Sequence, residues 1–113
     1  MKKQTSPAYV YIARCADTSL YTGSTTDPER RERQHNDGTA SKYTASRRPV
    51  KLVFKCKFSS MGEALSVERK IKNWSRTKKQ RLVAGEFDLK KELAAGEKAT
   101  QFAARNRVLS GDD

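Results

Sequence analysis

The sequence predicts an α+β domain with three strands, several helices and a small antiparallel or mixed sheet. Two segments near the N-terminus have strand composition and are separated by too few residues for a helical crossover, which indicates a hairpin. A third segment alternates apolar and polar side chains, as strands with one buried face do. Because the chain has 113 residues, we expect a single core.

The predicted hairpin comprises residues 9–15 (YVYIARC) and 20–24 (LYTGS), in which β-branched and aromatic side chains favour strands. A short helix is expected over residues 28–36, since a Thr-Asp pair can cap it and proline occupies its first turn. Gly38 is expected to end this helix. The helix sequence, PERRERQHN, has no apolar stripe that could attach it to a core. We therefore expect at least one polar side chain of this helix to have a functional role.

The middle of the chain is predicted to contain a loop, a strand and a helix in that order. Residues 38–50 form a basic loop rich in serine and threonine, and its length indicates a functional role. Residues 52–58 form the third strand. Ser60 and Glu63 form a capping box for a helix that runs to about Trp74.

Weaker helix signals follow toward the C-terminus. Thr77 and Gln80 repeat the capping box, which predicts a short helix that ends at Gly85. A further helix is expected after Asp88.

Positive charge is concentrated in the first 90 residues. The net charge is +11; residues 1–90 carry 20 basic and 9 acidic side chains, whereas residues 91–113 carry 4 of each. We expect one domain over residues 1–95, with its core in residues 8–85, and a tail of residues 96–113 that is either helical or disordered. A compact basic domain indicates a polyanion partner, with nucleic acid as the leading candidate. The alternative is a solvated surface that binds nucleic acid adventitiously.

Hydropathy and cysteine spacing argue against three classes of protein: membrane proteins, secreted proteins and zinc-binding proteins. The longest apolar run, residues 8–13, is far shorter than a membrane span, and the N-terminus lacks the hydrophobic segment of a signal peptide. We therefore expect a cytoplasmic protein that does not enter a membrane. Cys15 and Cys56 lie 41 residues apart without a second Cys or His pair nearby, so no zinc site or disulfide framework is readable. Both are expected to be free thiols.

The strand tyrosines are the first candidate functional residues. Tyr9 and Tyr11 share one face of the first strand, while the apolar side chains of the other face can supply the core. Tyr21 can lie on the same face as Tyr11 only if the hairpin loop has an odd length, such as residues 16–18. Ordinary packing of tyrosines in a sheet is the alternative.

Arg31 and His35 are four residues apart and therefore neighbours on one face of the predicted polar helix. Arginine offers a planar fork for phosphate, and histidine can donate, accept or move a proton. The alternatives are a solvated cation and an ordinary surface histidine.

Glu68 is the most unusual residue of the predicted helix that follows the third strand. At about 100° per residue, it falls near the middle of an apolar arc formed by Met61, Ala64, Leu65, Val67, Ile71 and Trp74. A carboxylate there needs a partner, either a basic side chain such as Arg31, a metal ion, or both. A purely structural salt bridge is the alternative.

Taken together, these residues resemble the motifs of a known family. The sequence contains YVY at residues 9–11 and YTG at residues 21–23, followed by Arg31, His35 and, within EALSVERKIK, Glu68. This combination resembles the GIY-YIG nuclease superfamily. The resemblance implies a three-stranded antiparallel sheet flanked by helices, and cleavage of phosphodiester bonds with one divalent metal ion.

The similarity extends over residues 8–82 and is strongest to the small stand-alone YhbQ-like branch of the superfamily. It includes QHN at 34–36, KYT at 42–44 and RRPV at 47–50. Tyr9 stands in place of the first motif glycine, and a threonine replaces the motif isoleucine. Neither departure removes a chemical group that the reaction uses.

The resemblance also implies catalytic roles. Tyr11 and Tyr21 would match the two motif tyrosines. Arg31 would match the arginine of the first helix, and His35 the histidine found in many members. Glu68 would match the metal ligand, which holds Mg²⁺ or another divalent cation such as Mn²⁺. Either Tyr11 or His35 would accept the proton of the attacking water, and the sequence leaves both alternatives open.

The expected nucleic-acid contacts surround these groups and comprise Gly23, Ser24, Arg30, Lys42, Tyr43, Arg47, Arg48 and Lys72. Gly23 would match the motif glycine, where a side chain would crowd the substrate.

The expected function is a metal-dependent endonuclease that hydrolyses phosphodiester bonds of nucleic acid, with DNA as the expected substrate. The alternative is a DNA- or RNA-binding module on the same fold with weak or no catalysis. A protein adaptor is disfavoured, because the charge is concentrated in the domain and no exposed apolar stripe is evident. The sequence identifies no particular protein partner.

Overall fold

A three-stranded antiparallel sheet lies at the centre of the protein, in a computed structural model that describes residues 6–96. The strand order is β2-β1-β3, so the first strand is central and the other two form the edges. The strands are β1 Ala8–Arg14, β2 Leu20–Thr25 and β3 Lys51–Phe58. Helices pack on both faces, which confirms the predicted α+β class with a small three-stranded antiparallel sheet.

The hairpin between β1 and β2 has the odd loop length that the sequence analysis required. The Cys15 N–H donates to the Ser19 carbonyl at 2.9 Å, so the loop consists of residues 16–18. In the resulting register, Tyr11 and Tyr21 lie on the same face of the sheet. The prediction that both tyrosines share a face is therefore confirmed.

Four helices follow the hairpin within the described residues, together with a helical segment at residues 89–96. They are α1 Pro28–Asp37, α2 Lys42–Ala45, α3 Met61–Lys72 and α4 Arg76–Val83. Gly38 ends α1 with a φ of 83°, a left-handed conformation that glycine adopts at no steric cost. The predicted C-terminal tail lies outside the described residues except for Gly96.

Two element predictions were wrong. The segment predicted as a loop contains α2, which begins after Ser41 because the Ser41 side chain accepts from the Thr44 N–H. The last short helix is capped by Ser75 rather than Thr77, since Ser75 has extended backbone and its side chain accepts from the Lys78 N–H.

The capping box predicted for α3 is half formed. The Ser60 hydroxyl accepts from the Glu63 N–H at 3.2 Å, as expected. The Glu63 carboxylate instead accepts from the N–H of Ser59, one residue before the cap, at 3.0 Å. The helix then ends at Lys72, slightly before the predicted limit near Trp74.

The main core lies between one face of the sheet and α3. Val10 and Ile12 of β1 are completely buried there against Val67 and Ile71. Leu65, which was predicted to lie on the buried arc of this helix, is 42% exposed. The buried stripe is therefore narrower than half of the helix circumference.

The opposite face of the sheet carries a smaller cluster that includes Tyr11, Ala13, Cys15 and Val50. Cys15 and Cys56 are free thiols, as predicted. Among the described residues, no helix is both long and apolar enough to cross a membrane.

Candidate active site

Side chains from both faces of the sheet meet at the outer edge of β2. Tyr11 and Tyr21 lie on one face, whereas Ser24 points to the face against which α3 packs. The Ser24 hydroxyl donates to Glu68 Oε1 at 2.6 Å, and its carbonyl accepts from Arg31 Nη1 at 3.4 Å. Ser24 therefore links Arg31 of α1 to Glu68 of α3 across the edge of the strand.

His35 completes the cluster and is fully buried. Its ring centroid lies 5.6 Å from that of Tyr11 and 5.4 Å from that of Tyr21. The Tyr11 hydroxyl and His35 Nε2 are hydrogen-bonded at 2.8 Å. His35 is thus neither a surface residue nor a solvated group, and it is the buried residue of a helix that has no apolar stripe.

Tyr11 is also fully buried, so the cluster is layered. Tyr21, Arg31 and Glu68 are half-buried and lie nearer to solvent, while Tyr11 and His35 lie behind them. The five candidate catalytic side chains therefore do not all line one open cleft, because Tyr11 and His35 are covered.

Burial favours the uncharged form of both hydrogen-bonded groups. It raises the pKa of Tyr11 to about 12, although the Arg31 guanidinium partly opposes this shift. Burial, together with the positive charge of Arg31, lowers the pKa of His35 below its ordinary value, against a smaller opposing effect of Glu32. A neutral imidazole therefore faces a neutral phenol.

Glu68 has a basic partner, but not the expected one. Its Oε2 lies 2.8 Å from the Lys72 ammonium one turn further along α3, and its side chain is 14% exposed. The pKa of Lys72 is raised, chiefly by this hydrogen bond. Arg31 reaches the same region through the Ser24 carbonyl instead.

Glu68 also suits the metal ion that the resemblance implies. Within residues 6–96, no group of three or more His, Cys, Asp or Glu side chains could hold a metal ion. Mg²⁺ does not need such a group, because proteins often bind it through one or two carboxylates while water and phosphate complete the shell. Glu68 is a half-buried carboxylate with two oxygen atoms, and oxygen ligands of this kind suit Mg²⁺ and Mn²⁺.

The structure shows a packing reason for a glycine at position 23. A Cβ at this position would lie 2.5 Å from the Tyr11 hydroxyl oxygen and 2.6 Å from Tyr11 Cζ. The glycine therefore makes room for the Tyr11 ring, and its contact with nucleic acid stays a prediction.

A stack of side chains extends from the cluster to the surface. The Tyr21 and Tyr43 rings stack with centroids 5.9 Å apart, and Tyr43 is 39% exposed. The Arg47 guanidinium lies 3.8 Å from the Tyr43 ring centroid and pairs with Asp17 at 3.1 Å. Lys72 lies 5.9 Å from the Tyr21 ring centroid on the other side.

The remaining cations predicted to contact nucleic acid differ in their availability. Arg30 and Lys42 are exposed. Arg48 is engaged with the fold, because it donates to the carbonyls of Ala45 at 2.8 Å and Asn36 at 3.3 Å. The contacts of all three with nucleic acid stay predictions.

Thr44 is the site residue that the sequence analysis missed. Its hydroxyl oxygen lies 2.8 Å from His35 Nδ1, and the residue is fully buried. The motif that contains it, KYT, was part of the resemblance, but the segment was predicted as a loop. Ser41, three residues earlier, was the available signal, since a serine at that spacing can cap a short helix.

We predict that Gly23→Ala lowers the free energy of unfolding by about 1–3 kcal/mol, because the added methyl group would overlap the Tyr11 ring. Urea unfolding measures the effect. Gly62→Ala in α3 is the matched control, since its Cβ would meet only Ser60 Oγ at 3.9 Å and alanine favours helices. Equal effects of the two substitutions would contradict the close approach at Gly23.

We also predict that stability falls as the pH is lowered from about 7 to about 5.5. Unfolded His35 takes up a proton near its ordinary pKa, whereas the lowered pKa in the folded state resists protonation, so acid favours unfolding. The chain has 1 histidine, so His35→Gln should remove this slope. Urea titrations at both pH values measure it, and a wild-type protein with equal stability at both would refute the assignment.

Comparison with known proteins places the chain in a family. The GIY-YIG catalytic domain model matches residues 7–81, which is more than half of the chain. A UPF0213 protein of Haloquadratum walsbyi is 54% identical over 82 residues, covering 72% of this chain and 91% of that protein. One from Staphylococcus haemolyticus is 51% identical over 75 residues, covering 66% and 92%.

A solution NMR structure of a UPF0213 protein from Bacillus halodurans is 46% identical, covers 69% of this chain and 83% of that chain, and has a TM-score of 0.45. The family match over residues 7–81 confirms the resemblance that the motifs indicated. The chain belongs to the GIY-YIG catalytic domain family, together with these UPF0213 relatives.

Proposed function

We propose that this protein is a metal-dependent endonuclease that hydrolyses phosphodiester bonds of nucleic acid, with DNA as its substrate. The observation that carries the proposal is the cluster at the edge of β2, where an arginine, a carboxylate and a hydrogen-bonded tyrosine–histidine pair converge. Membership of the GIY-YIG family supports the same reaction class. These are the groups that phosphodiester hydrolysis needs for charge stabilisation and proton transfer.

Arg31 and Glu68 would act on the phosphate. Arg31 is suited to brace the charge that develops on the phosphoryl oxygens, because its guanidinium is always protonated and has several donors. Glu68 would hold the divalent ion. A bound Mg²⁺ or Mn²⁺ would supply neutralising charge at the phosphate and at the departing oxygen.

Tyr11 would accept the proton of the attacking water, with His35 behind it. The contacts of Tyr11 support this order, because its hydroxyl is hydrogen-bonded to His35 Nε2 and its phenol is influenced by the positive charge of Arg31. As the water proton moves to the phenol oxygen, the phenol proton moves to Nε2, so the phenolate never needs to accumulate. This role requires that substrate binding opens access to the Tyr11 hydroxyl, because Tyr11 is fully buried. Tyr21 would orient the water or the phosphate.

A binding module without catalysis is the second candidate function. Two observations favour it: Tyr11 is fully buried, and Glu68 already pairs with Lys72. A binder needs the surface cations but neither the buried pair nor a metal ion. In the nuclease Glu68 would hold the metal ion that cleavage requires, whereas in the binding module Glu68 would only pair with Lys72.

We predict that Glu68→Gln lowers the rate of Mg²⁺-dependent cleavage by about 100-fold or more while DNA binding survives or tightens. Glutamine keeps the acceptor for Ser24 but loses the charge, and it releases the Lys72 ammonium toward phosphate. Cleavage is measured on single-stranded, duplex and branched DNA, with affinity and melting temperature measured on the same samples.

Glu92→Gln is the matched control, because Glu92 forms a comparable ion pair with Lys78 at 2.8 Å on another part of the surface. Each substitution removes an ion pair with a partly exposed lysine, and glutamine can still accept hydrogen bonds, so both should change stability by less than about 1 kcal/mol. A folded Glu68→Gln protein that cuts at the wild-type rate would exclude the metal-ligand role. Wild-type protein that leaves all three substrates intact with Mg²⁺ or Mn²⁺ would favour the binding module.

We predict a steep salt dependence of DNA binding, because the slope scales as about 0.9 per duplex phosphate neutralised. Arg30→Gln should reduce the slope by about one, since Arg30 is exposed on the helix that carries Arg31 and His35. Arg81→Gln is the control, because Arg81 on α4 pairs with Glu86 at 2.9 Å. Fluorescence anisotropy at several salt concentrations provides the slopes, and a flat dependence would refute phosphate binding by these cations.

A further inference from the structure

A continuous chain of hydrogen bonds runs behind the tyrosine of the candidate site. It leads from the Tyr11 hydroxyl to His35 Nε2 at 2.8 Å, and from His35 Nδ1 to Thr44 Oγ1 at 2.8 Å. Thr44 Oγ1 then lies 3.0 Å from Ser41 Oγ and 3.3 Å from the Ser41 carbonyl oxygen. Tyr11, His35 and Thr44 are each completely buried, so their hydrogens must be satisfied within the protein.

The number of donors and acceptors in this series of hydrogen bonds decides which ring nitrogen of His35 carries the proton. A neutral imidazole has one N–H donor and one acceptor nitrogen. The buried Tyr11 hydroxyl needs a hydrogen-bond acceptor. Among residues 6–96, the acceptor that lies within hydrogen-bond distance of this hydroxyl is His35 Nε2. If Nε2 accepts, the imidazole proton is on Nδ1 and donates to Thr44 Oγ1. The Thr44 hydroxyl can then donate to Ser41, whose carbonyl and hydroxyl oxygens each accept one backbone N–H and have a second lone pair for Thr44.

The opposite tautomer leaves a buried donor unpaired. With the proton on Nε2, His35 donates to the Tyr11 oxygen, and Thr44 donates to Nδ1. The Tyr11 hydroxyl proton then has no acceptor among the described residues, because the neighbouring Arg31 guanidinium is itself only a donor. Leaving a buried donor unsatisfied costs about 1–3 kcal/mol.

Thr44 is held firmly enough to impose this choice. The Ser41 hydroxyl caps α2 by accepting from the Thr44 N–H at 3.1 Å. The Arg47 N–H donates to the Thr44 carbonyl at 2.9 Å. Arg48 ties the same short helix to α1 by donating to the carbonyls of Ala45 and Asn36. The short helix therefore presents one hydroxyl oxygen to His35 at a fixed position.

We propose that Thr44 is a positioning residue that holds His35 in the Nδ1–H tautomer, so that Nε2 faces Tyr11 as a proton acceptor. The tautomer is a property of the folded chain and stands independently of any activity. Its catalytic consequence rests on the proposed nuclease function, in which Tyr11 passes its proton to Nε2 as it takes one from water.

The tautomer can be measured directly, because the chain has 1 histidine and its ¹⁵N spectrum contains a single imidazole. Long-range ¹H–¹⁵N correlation of the wild-type protein at about pH 7.5 distinguishes a protonated Nδ1 from a protonated Nε2. We expect a protonated Nδ1. A protonated Nε2 in the wild-type protein would overturn the proposal without any variant.

Three threonine variants then test the role of Thr44. Thr44→Val keeps the side-chain shape but removes the acceptor for Nδ1–H, so we expect the Nε2–H tautomer to become populated. Thr44→Ser keeps the hydroxyl and should retain the wild-type tautomer. Thr22→Val is the matched control, since Thr22 is also buried but its hydroxyl has no hydrogen-bond partner among the described residues. It should leave the spectrum unchanged.

A Thr44→Val spectrum that still shows only the Nδ1–H tautomer would overturn the role of Thr44. If Thr44→Val fails to fold, the wild-type and Thr44→Ser spectra decide: a change of tautomer in folded Thr44→Ser would refute the proposal.

Cleavage provides the second readout. In single-turnover assays we expect Thr44→Val to lower the rate about tenfold or more, with DNA affinity unchanged, and Thr44→Ser to recover it to within about threefold. Wild-type protein that cleaves no substrate would refute the nuclease function, while the spectra still decide the tautomer. A normal cleavage rate in a variant with the altered tautomer would refute the catalytic consequence alone.

Discussion

The hydrogen bond between Tyr11 and His35 is the interaction on which the rest of the site depends. α1 has no apolar stripe, and its one buried residue is His35. The helix is therefore attached to this face of the sheet largely through a polar contact, which is costly unless every buried donor and acceptor is paired. The absence of a side chain at Gly23 lets Tyr11 lie across β2 and reach the histidine.

The edge position of β2 explains how groups from two faces of a small sheet can act at one point. If β2 were a central strand, the sheet would separate Glu68 on α3 from the tyrosines on the opposite face. Because β2 is an edge strand, Ser24 can bind Glu68 with its hydroxyl and Arg31 with its carbonyl. The site therefore brings one carboxylate and several cations together at the edge of the sheet, where the proposed polyanionic substrate would meet them.

Many of the basic side chains that give the chain its charge are already engaged within the fold. Lys72 pairs with Glu68, Arg47 stacks on Tyr43, and Arg48 binds main-chain carbonyls. The ion pairs of Lys72 and Arg47 are partly exposed and contribute little to stability, so these two side chains can exchange their partners for phosphate at small cost. Arg48 instead holds the short helix α2 against α1.

Local patterns in the sequence predicted most of the elements, and they made the placement of Tyr11 and Tyr21 depend on the parity of the hairpin loop. The caps at Ser60 and the glycine after α1 follow from nearest-neighbour hydrogen bonding, and an odd loop of residues 16–18 is enough to align Tyr11 with Tyr21. The same patterns, with the motif resemblance, identified the family and the five candidate catalytic side chains.

Only the tertiary structure decided which groups are paired, because those contacts join residues far apart in the chain. The partners of Tyr11 and of Ser24 lie 24 and 44 residues away. No local period encodes such contacts, so the burial of His35, the exposure of Leu65 and the contact of Thr44 with His35 could not be predicted from helix or strand patterns. They depend on how α1, α2 and α3 pack against the two faces of the sheet, where burial makes unpaired polar groups costly and so selects the hydrogen bonds that form.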